Sequence, residues 1–160
     1  MSYFKDYLYQ FKDKNIIIYI DMDGVVADYD VLSFNEDKYK EDLYLNKRPV
    51  KTIIDILEDV STLNNTSLNI LSCTKKENQI NGKYIWLSKH MSFIKKENIN
   101  IIARESKNYE KSCIIKAEFL KNNYDNNSVI IIIDDSHDVL KEIIKLDLGI
   151  IPLHISSIIE

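Results

Sequence analysis

A chain of 160 residues with 45% apolar and 29% charged side chains can bury one core and is not a disordered segment. Its formal charge of −4 leaves no basic footprint for unspecific nucleic-acid binding, though a nucleotide or strand end could still be held in a local site. No apolar run approaches the ~20 residues of a membrane helix, Met1 to Lys14 is too polar for a secretory leader, and two distant cysteines, Cys73 and Cys113, suit a reduced cytoplasmic protein rather than a disulfide framework.

In chain order, Phe4, Tyr7, Leu8 and Phe11 recur at helical spacing, so a short packing helix is expected over 2–11. Ile16 to Ile20 is apolar without alternation and rich in β-branched residues, the pattern of a strand buried on both faces. Residues 28–48 are polar and aromatic and form an insert, expected as a turn or hairpin followed by a short helix, with Pro49 closing it. Val50, Ile53, Ile54, Leu57 and Val60 make an amphipathic stripe that predicts a helix over 50–63. A short strand, Leu68 to Leu71, precedes a helix over 76–91 that buries Ile80, Tyr84, Trp86 or Leu87, and Met91.

Ile99 to Ala103 is a third strand, and 112–124 a helix burying Ile115, Phe119 and Leu120. Val129 to Ile133 is a fourth strand, apolar throughout. Ser136 can N-cap a helix through Leu146 with Val139, Leu140, Ile143 and Ile144 on one face; Gly149 ends it, and Ile150 to Ile155 is a fifth strand. Strands alternating with helices predict an α/β domain with a mainly parallel five-stranded sheet covered on both faces, and nothing in 1–160 marks a second domain.

The strands end in chemistry. Asp21 and Asp23 follow the first, Ser72 the second, Asp134 and Asp135 the fourth. In a parallel sheet these ends share one edge, where open α/β sheets bind ligands. Four converging acids repel one another, and a divalent cation with hard oxygen ligands resolves the conflict; Mg²⁺ suits this set better than Zn²⁺, since His90, His137 and His154 are scattered. A metal beside a carboxylate permits phosphoryl transfer through an aspartyl phosphate, and a second acid can move the proton. Ser72, Cys73 and Thr74 offer hydroxyl and backbone donors to the phosphate, and a lysine should supply the opposite charge.

Asp-Met-Asp-Gly-Val-Val at 21–26, Ser72 after an apolar strand, a following lysine, and Ile-Ile-Ile-Ile-Asp-Asp at 130–135 resemble the four motifs of the haloacid dehalogenase (HAD) superfamily, in order. The resemblance implies a Rossmann-like three-layer sandwich, Mg²⁺ dependence and phosphomonoester hydrolysis. It implies Asp21 as nucleophile and Asp23 as general acid/base, with the Asp23 carbonyl, Asp21, Asp134 and Asp135 on the metal and Ser72 on the phosphate. An acid at position 23 resembles the phosphatase branch.

Lys107, Lys111 and Lys116 all precede the fourth strand. Ile-Ile-Lys-Ala-Glu-Phe-Leu at 114–120, with the Asp-Asp strand and Ser-His-Asp-Val-Leu at 136–140, resembles the phosphatase domain of polynucleotide kinase/phosphatases, which makes Lys116 the family lysine and Lys111 the next candidate. Gly-Lys-Tyr-Ile-Trp at 82–86 resembles a helix of the small 5'-nucleotidases and deoxyribonucleotidases, on which Lys83 reaches the phosphate. The insert stands where the superfamily places its first cap. The expected substrate is a nucleotide or a nucleic-acid end, such as a 3'-phosphorylated strand. A sugar phosphate, an inactive binding module and a homodimer are the alternatives kept open.

Overall fold

The protein is described from a computed structural model over residues 3–29 and 37–159. Five parallel strands, β1 (Asn15–Ile20), β2 (Thr66–Thr74), β3 (Ile99–Ala103), β4 (Ser128–Asp134) and β5 (Ile151–His154), lie in the order β3-β2-β1-β4-β5. Helices α1 (Tyr3–Tyr9), α2 (Lys51–Ser61), α3 (Ile80–His90), α4 (Ser112–Asn122) and α5 (His137–Lys145) cover the two faces. Strand alternation sorts them. Ile16, Ile18 and Ile20 of β1, with Ile131 and Ile133 of β4, meet α1, α2 and α3. Ile17 and Tyr19, with Ile130 and Ile132, meet α4 and α5. The central strands therefore read as unbroken apolar runs, because each face meets a helical layer.

The order places β1 beside both β2 and β4, whose onward connections run to opposite edges. The crevice between their carboxyl ends is the topological switch point.

Several expectations shift. β2 runs on to Thr74 because its last five residues pair with β3, Ser72 opposite Ile101, so Ser72 lies inside the strand rather than at its end. It still reaches the crevice, since β1 stops opposite Ile70. On α3 the buried face is Gly82, Lys83, Trp86 and Leu87, while Ile80 and Tyr84 are half-buried. Phe119 is likewise half-buried. Ile144 is 63% exposed, since Val139, Leu140 and Ile143 already fill the stripe and Ile144 lies one step of rotation beyond it. The left-handed residue after α5 is Asp147 (φ 53°); Gly149 (φ 74°) instead turns the chain into β5.

Of the insert, residues 30–36 lie outside the described residues, and 37–47 form turns instead of a helix. Three of their carbonyls are engaged outside the segment. The buried Gln79 amide donates to Lys38 O and Lys40 O (3.0 and 2.9 Å) while its oxygen accepts from the Lys75 and Lys76 amides (3.1 and 3.0 Å). Trp86 donates to Lys47 O at 2.7 Å. The insert's base is pinned where Asp28 N meets Arg48 O and Val50 N meets Val26 O, both at 2.8 Å.

Candidate active site

The end of β1 builds the site. Asp21 donates its amide to Ile133 O and so stays tied to β4, after which the amides of Val25, Val26 and Ala27 converge on Met22 O in a tight loop. Gly24 supplies the positive φ (76°) that this loop requires. A Cβ there would stand 2.2 Å from Asp135 Oδ2 and 2.4 Å from Tyr29 Cε2, so the loop backbone packs closely against the Asp135 carboxylate.

Asp21, Asp23, Ser72, Cys73, Lys111, Lys116, Asp134 and Asp135 all line one cavity of about 370 Å³ at the carboxyl edge of the sheet. Thr74 does not line it, and its hydroxyl donates to Lys76 O at 2.9 Å. Lys107 lies outside it, in the turn after β3.

Two lysines divide the acids. The buried Lys116 ammonium lies 2.9 Å from Asp21 Oδ2 and 2.7 Å from Asp134 Oδ2. Lys83, with no solvent exposure, donates to Asp23 Oδ2, to Ser72 Oγ at 2.7 Å and to Cys73 O at 2.9 Å, and lies over the Tyr44 ring. Lys83 is not among the residues that line the cavity, and its three bonds go to the protein, to Asp23, Ser72 and Cys73, which do line it. Asp21 Oδ1 accepts from the Met22 amide (2.7 Å) and Asp134 Oδ1 from the Ser136 amide (2.9 Å). Asp23 Oδ1 is buried and has no hydrogen-bond partner among the described residues.

Among these six groups two ammoniums face four carboxylates, and Arg104, Lys111 and Asp138 also line the cavity. The strain shows in the titrations. Burial, reinforced by the charge of Asp21, pushes Asp134 up to about 6 despite its bond to Lys116. Burial and Asp21 also raise Asp135. Burial opposes the charge on Lys116, but Asp21 and Asp134 outweigh it and hold the ammonium above its ordinary range.

Asp21, Asp134 and Asp135 each bring a carboxylate oxygen within 4.8 Å of the others, an all-oxygen set that fits a hard divalent cation. The carboxylate of Asp23 is not among them, held off by Lys83.

Arg104, Ser112, Cys113 and Asp138 also line the cavity, and sequence reasoning did not single them out. The signal for Arg104 was its place after the carboxyl end of β3, the rule that found Ser72 and Asp134. Tyr29 lines the cavity from the insert side, whereas Trp86, 1% exposed, is core.

A parallel α/β sheet carrying acids after β1 and β4, a serine on β2 and a buried lysine on α4 defines a HAD-type phosphatase domain. More narrowly, the chain belongs to the family of the polynucleotide kinase PNKP phosphatase domain, whose sequence profile matches residues 15–153. Two solved chains share the fold. One, from a structure of the Pnkp1/Rnl/Hen1 RNA repair complex, is 15% identical, with a TM-score of 0.66 over 89% of this chain and 42% of its own. The other, from a Pnkp1/Rnl/Hen1 complex, is also 15% identical, with a TM-score of 0.66 over 88% and 46%. This chain spans less than half of either. No curated protein is significantly similar to it in sequence. Among the described residues no helix is long and apolar enough to cross a membrane.

Proposed function

We propose that this domain hydrolyses the terminal phosphomonoester of a nucleic-acid strand, with Asp21 as nucleophile. The observation that carries the reading is the separation of two acids only two residues apart. Asp21 joins Lys116 and the three-acid cluster, while Asp23 is drawn aside by Lys83 with one oxygen unpartnered among the described residues. Two carboxylates in different surroundings suit two roles.

In the first step an Asp21 oxygen bonds to phosphorus, the ester P–O bond breaks, and the leaving oxygen takes a proton from Asp23. In the second step water attacks phosphorus, its proton goes to Asp23, and the Asp21–phosphorus bond breaks to release inorganic phosphate and the free carboxylate. Ser72 and the Cys73 amide would hold the phosphate oxygens, and Lys116 would steady Asp21. A Mg²⁺ ion held by Asp21, Asp134, Asp135 and the Asp23 carbonyl would offset the charge of the incoming phosphate. The single domain as read from the sequence contains all of these groups.

Family membership and the fold shared with chains of an RNA repair complex favour a strand end over a sugar phosphate. The test is a phosphate-release screen with Mg²⁺ over 3'-phosphorylated oligonucleotides, nucleoside 5'- and 3'-monophosphates and sugar phosphates. Highest kcat/KM on the oligonucleotides is expected. Release from sugar phosphates alone would overturn the substrate assignment, and no release from any member would favour a binding module.

A further inference from the structure

We infer that Tyr44, carried by the insert, is a positioning residue for proton transfer: its ring closes over the Lys83 ammonium and keeps the bonds that hold Asp23 free of competing water. This rests on the phosphatase reading, in which Asp23 protonates the leaving oxygen.

One stripe of α3 receives the insert. Gln79 stands just before the helix in helical backbone (φ −84°, ψ −14°), and Lys83 and Trp86 follow at helical spacing, so the three share a face. The outer two clamp main chain. The Gln79 amide holds Lys38 O and Lys40 O (3.0 and 2.9 Å), and the Trp86 indole holds Lys47 O (2.7 Å). Tyr44 lies in the span between these clamps, and its carbonyl accepts from the Lys47 amide at 3.4 Å. A Cβ added at Gly82 would stand 3.9 Å from Tyr44 Cβ, so α3 and the insert meet here with no side chain between them. The middle residue of the stripe, Lys83, faces the Tyr44 ring, its Nζ 4.4 Å from the ring centroid.

The contact is sealed from solvent. Tyr44 is 7% exposed and Lys83 not at all, whereas Tyr29 and Tyr39 of the same insert are more than half exposed. An aromatic face attracts an ammonium through its quadrupole, and the attraction grows as water is excluded. Burial, then the charges of Asp23 and Asp21, hold the Tyr44 hydroxyl above its ordinary range, so the ring stays neutral beside these acids.

What the ring protects is a set of three bonds, from Lys83 to Asp23 Oδ2, Ser72 Oγ and Cys73 O. Such bonds are stronger where the local dielectric is low. Water admitted to the ammonium would compete for them, and Asp23 would lose its fixed place. Lys83 takes Oδ2 alone; Oδ1, buried and unpartnered among the described residues, is the oxygen left to carry the proton. Tyr44 does not line the cavity, so its part is played through Lys83 and not through contact with the substrate.

The test compares two leaving groups. The alkoxide of a strand needs a proton from Asp23, whereas 4-nitrophenolate departs without one. With Mg²⁺, kcat/KM is measured on a 3'-phosphorylated oligonucleotide and on 4-nitrophenyl phosphate. Tyr44→Leu keeps apolar bulk but removes the ring face. It should lower kcat/KM about tenfold on the oligonucleotide, as for a displaced proton donor, and less than about twofold on 4-nitrophenyl phosphate. The ratio of the two is the readout, because an unfolded fraction lowers both alike. Tyr44→Phe should restore both values. In an Asp23→Asn background, Tyr44→Leu should cost nothing further on the oligonucleotide, since the two act through one group. Should Leu prevent folding, Tyr44→Met reads the same ratio with a side chain that fills the space differently. An unchanged ratio in the folded Leu or Met variant, a full loss in Tyr44→Phe, or an additive loss in the Asp23→Asn background would overturn the inference. Absence of turnover on both substrates by the unaltered protein would instead contradict the phosphatase reading.

Discussion

Lys83 meets Asp23 from a position with no solvent exposure, and the same ammonium holds Ser72 Oγ and Cys73 O. One side chain on α3 therefore fixes the proposed proton carrier and the proposed phosphate binder relative to each other. Lys83→Met removes the charge with little change in volume and strands a carboxylate that is only 20% exposed. The expected stability loss is about 3–5 kcal/mol, with kcat falling on the order of 100-fold, as for a displaced general acid. Thermal melts and steady-state kinetics check this. A raised KM with unchanged kcat would make Lys83 a substrate ligand instead.

As a proposed metal ligand, Asp134 should give the site a pH-dependent affinity for metal. Its value in the fold, about 6, lies above the ordinary 3.8, so the metal-free fold is favoured by protonation at low pH, and that contribution is lost as pH rises through 6. A cation must displace this proton, so stabilisation by Mg²⁺ should be small at pH 5 and grow by pH 7.5. Melting curves with and without Mg²⁺ at the two values measure it. An equal shift at both would mean that the acids are not the site of binding.

Gly24→Ala should damage the proposed metal site more than the fold. The new Cβ would meet Asp135 Oδ2 at 2.2 Å in a backbone of positive φ, so the β1 loop or Asp135 must move. Strain of about 1–3 kcal/mol is expected, together with a Mg²⁺ requirement raised at least about tenfold, as for other displaced supports of metal ligands. Titrating activity with Mg²⁺ reads the second effect directly, and an unchanged half-saturation point would contradict it.

Gln79 anchors the insert. Its four hydrogen bonds join Lys38 and Lys40 of the insert to the amides of Lys75 and Lys76 after β2. Gln79→Leu leaves those backbone groups unpaired and should lower stability by about 2–4 kcal/mol, at roughly 1 kcal/mol per bond. Limited proteolysis should then cut within 37–47 faster than elsewhere. Unchanged resistance there would show that Trp86 and Tyr44 suffice to hold the segment.

What the sequence disclosed was local. β1 and β4 could be read because each is an apolar run whose last residue precedes an acid, and a parallel sheet brings such ends together without further information. The Ser136 cap and the α2 stripe are equally local. What stayed hidden depended on partners distant in sequence. The extension of β2 past Ser72 needs β3 beside it. The buried face of α3 turns toward Lys83 because Asp23, Ser72 and Cys73, from two other segments, satisfy its ammonium. No helical periodicity predicts a buried lysine. Residues 37–47 make turns whose Lys38 and Lys40 carbonyls are taken by Gln79, about forty residues further along the chain. Arg104, a lone arginine in a loop, gains meaning only from the cavity it lines.

The central claim is that Asp21 carries the phosphoryl group. Its most direct test is to quench the enzyme in acid during turnover of a 3'-phosphorylated oligonucleotide with Mg²⁺, reduce it with borohydride, and map the peptides by mass. An aspartyl phosphate is reduced to homoserine, and the conversion is expected at position 21 alone and only when substrate and Mg²⁺ are both present. Homoserine at position 23, or phosphate release with no conversion at any acid, would contradict the account.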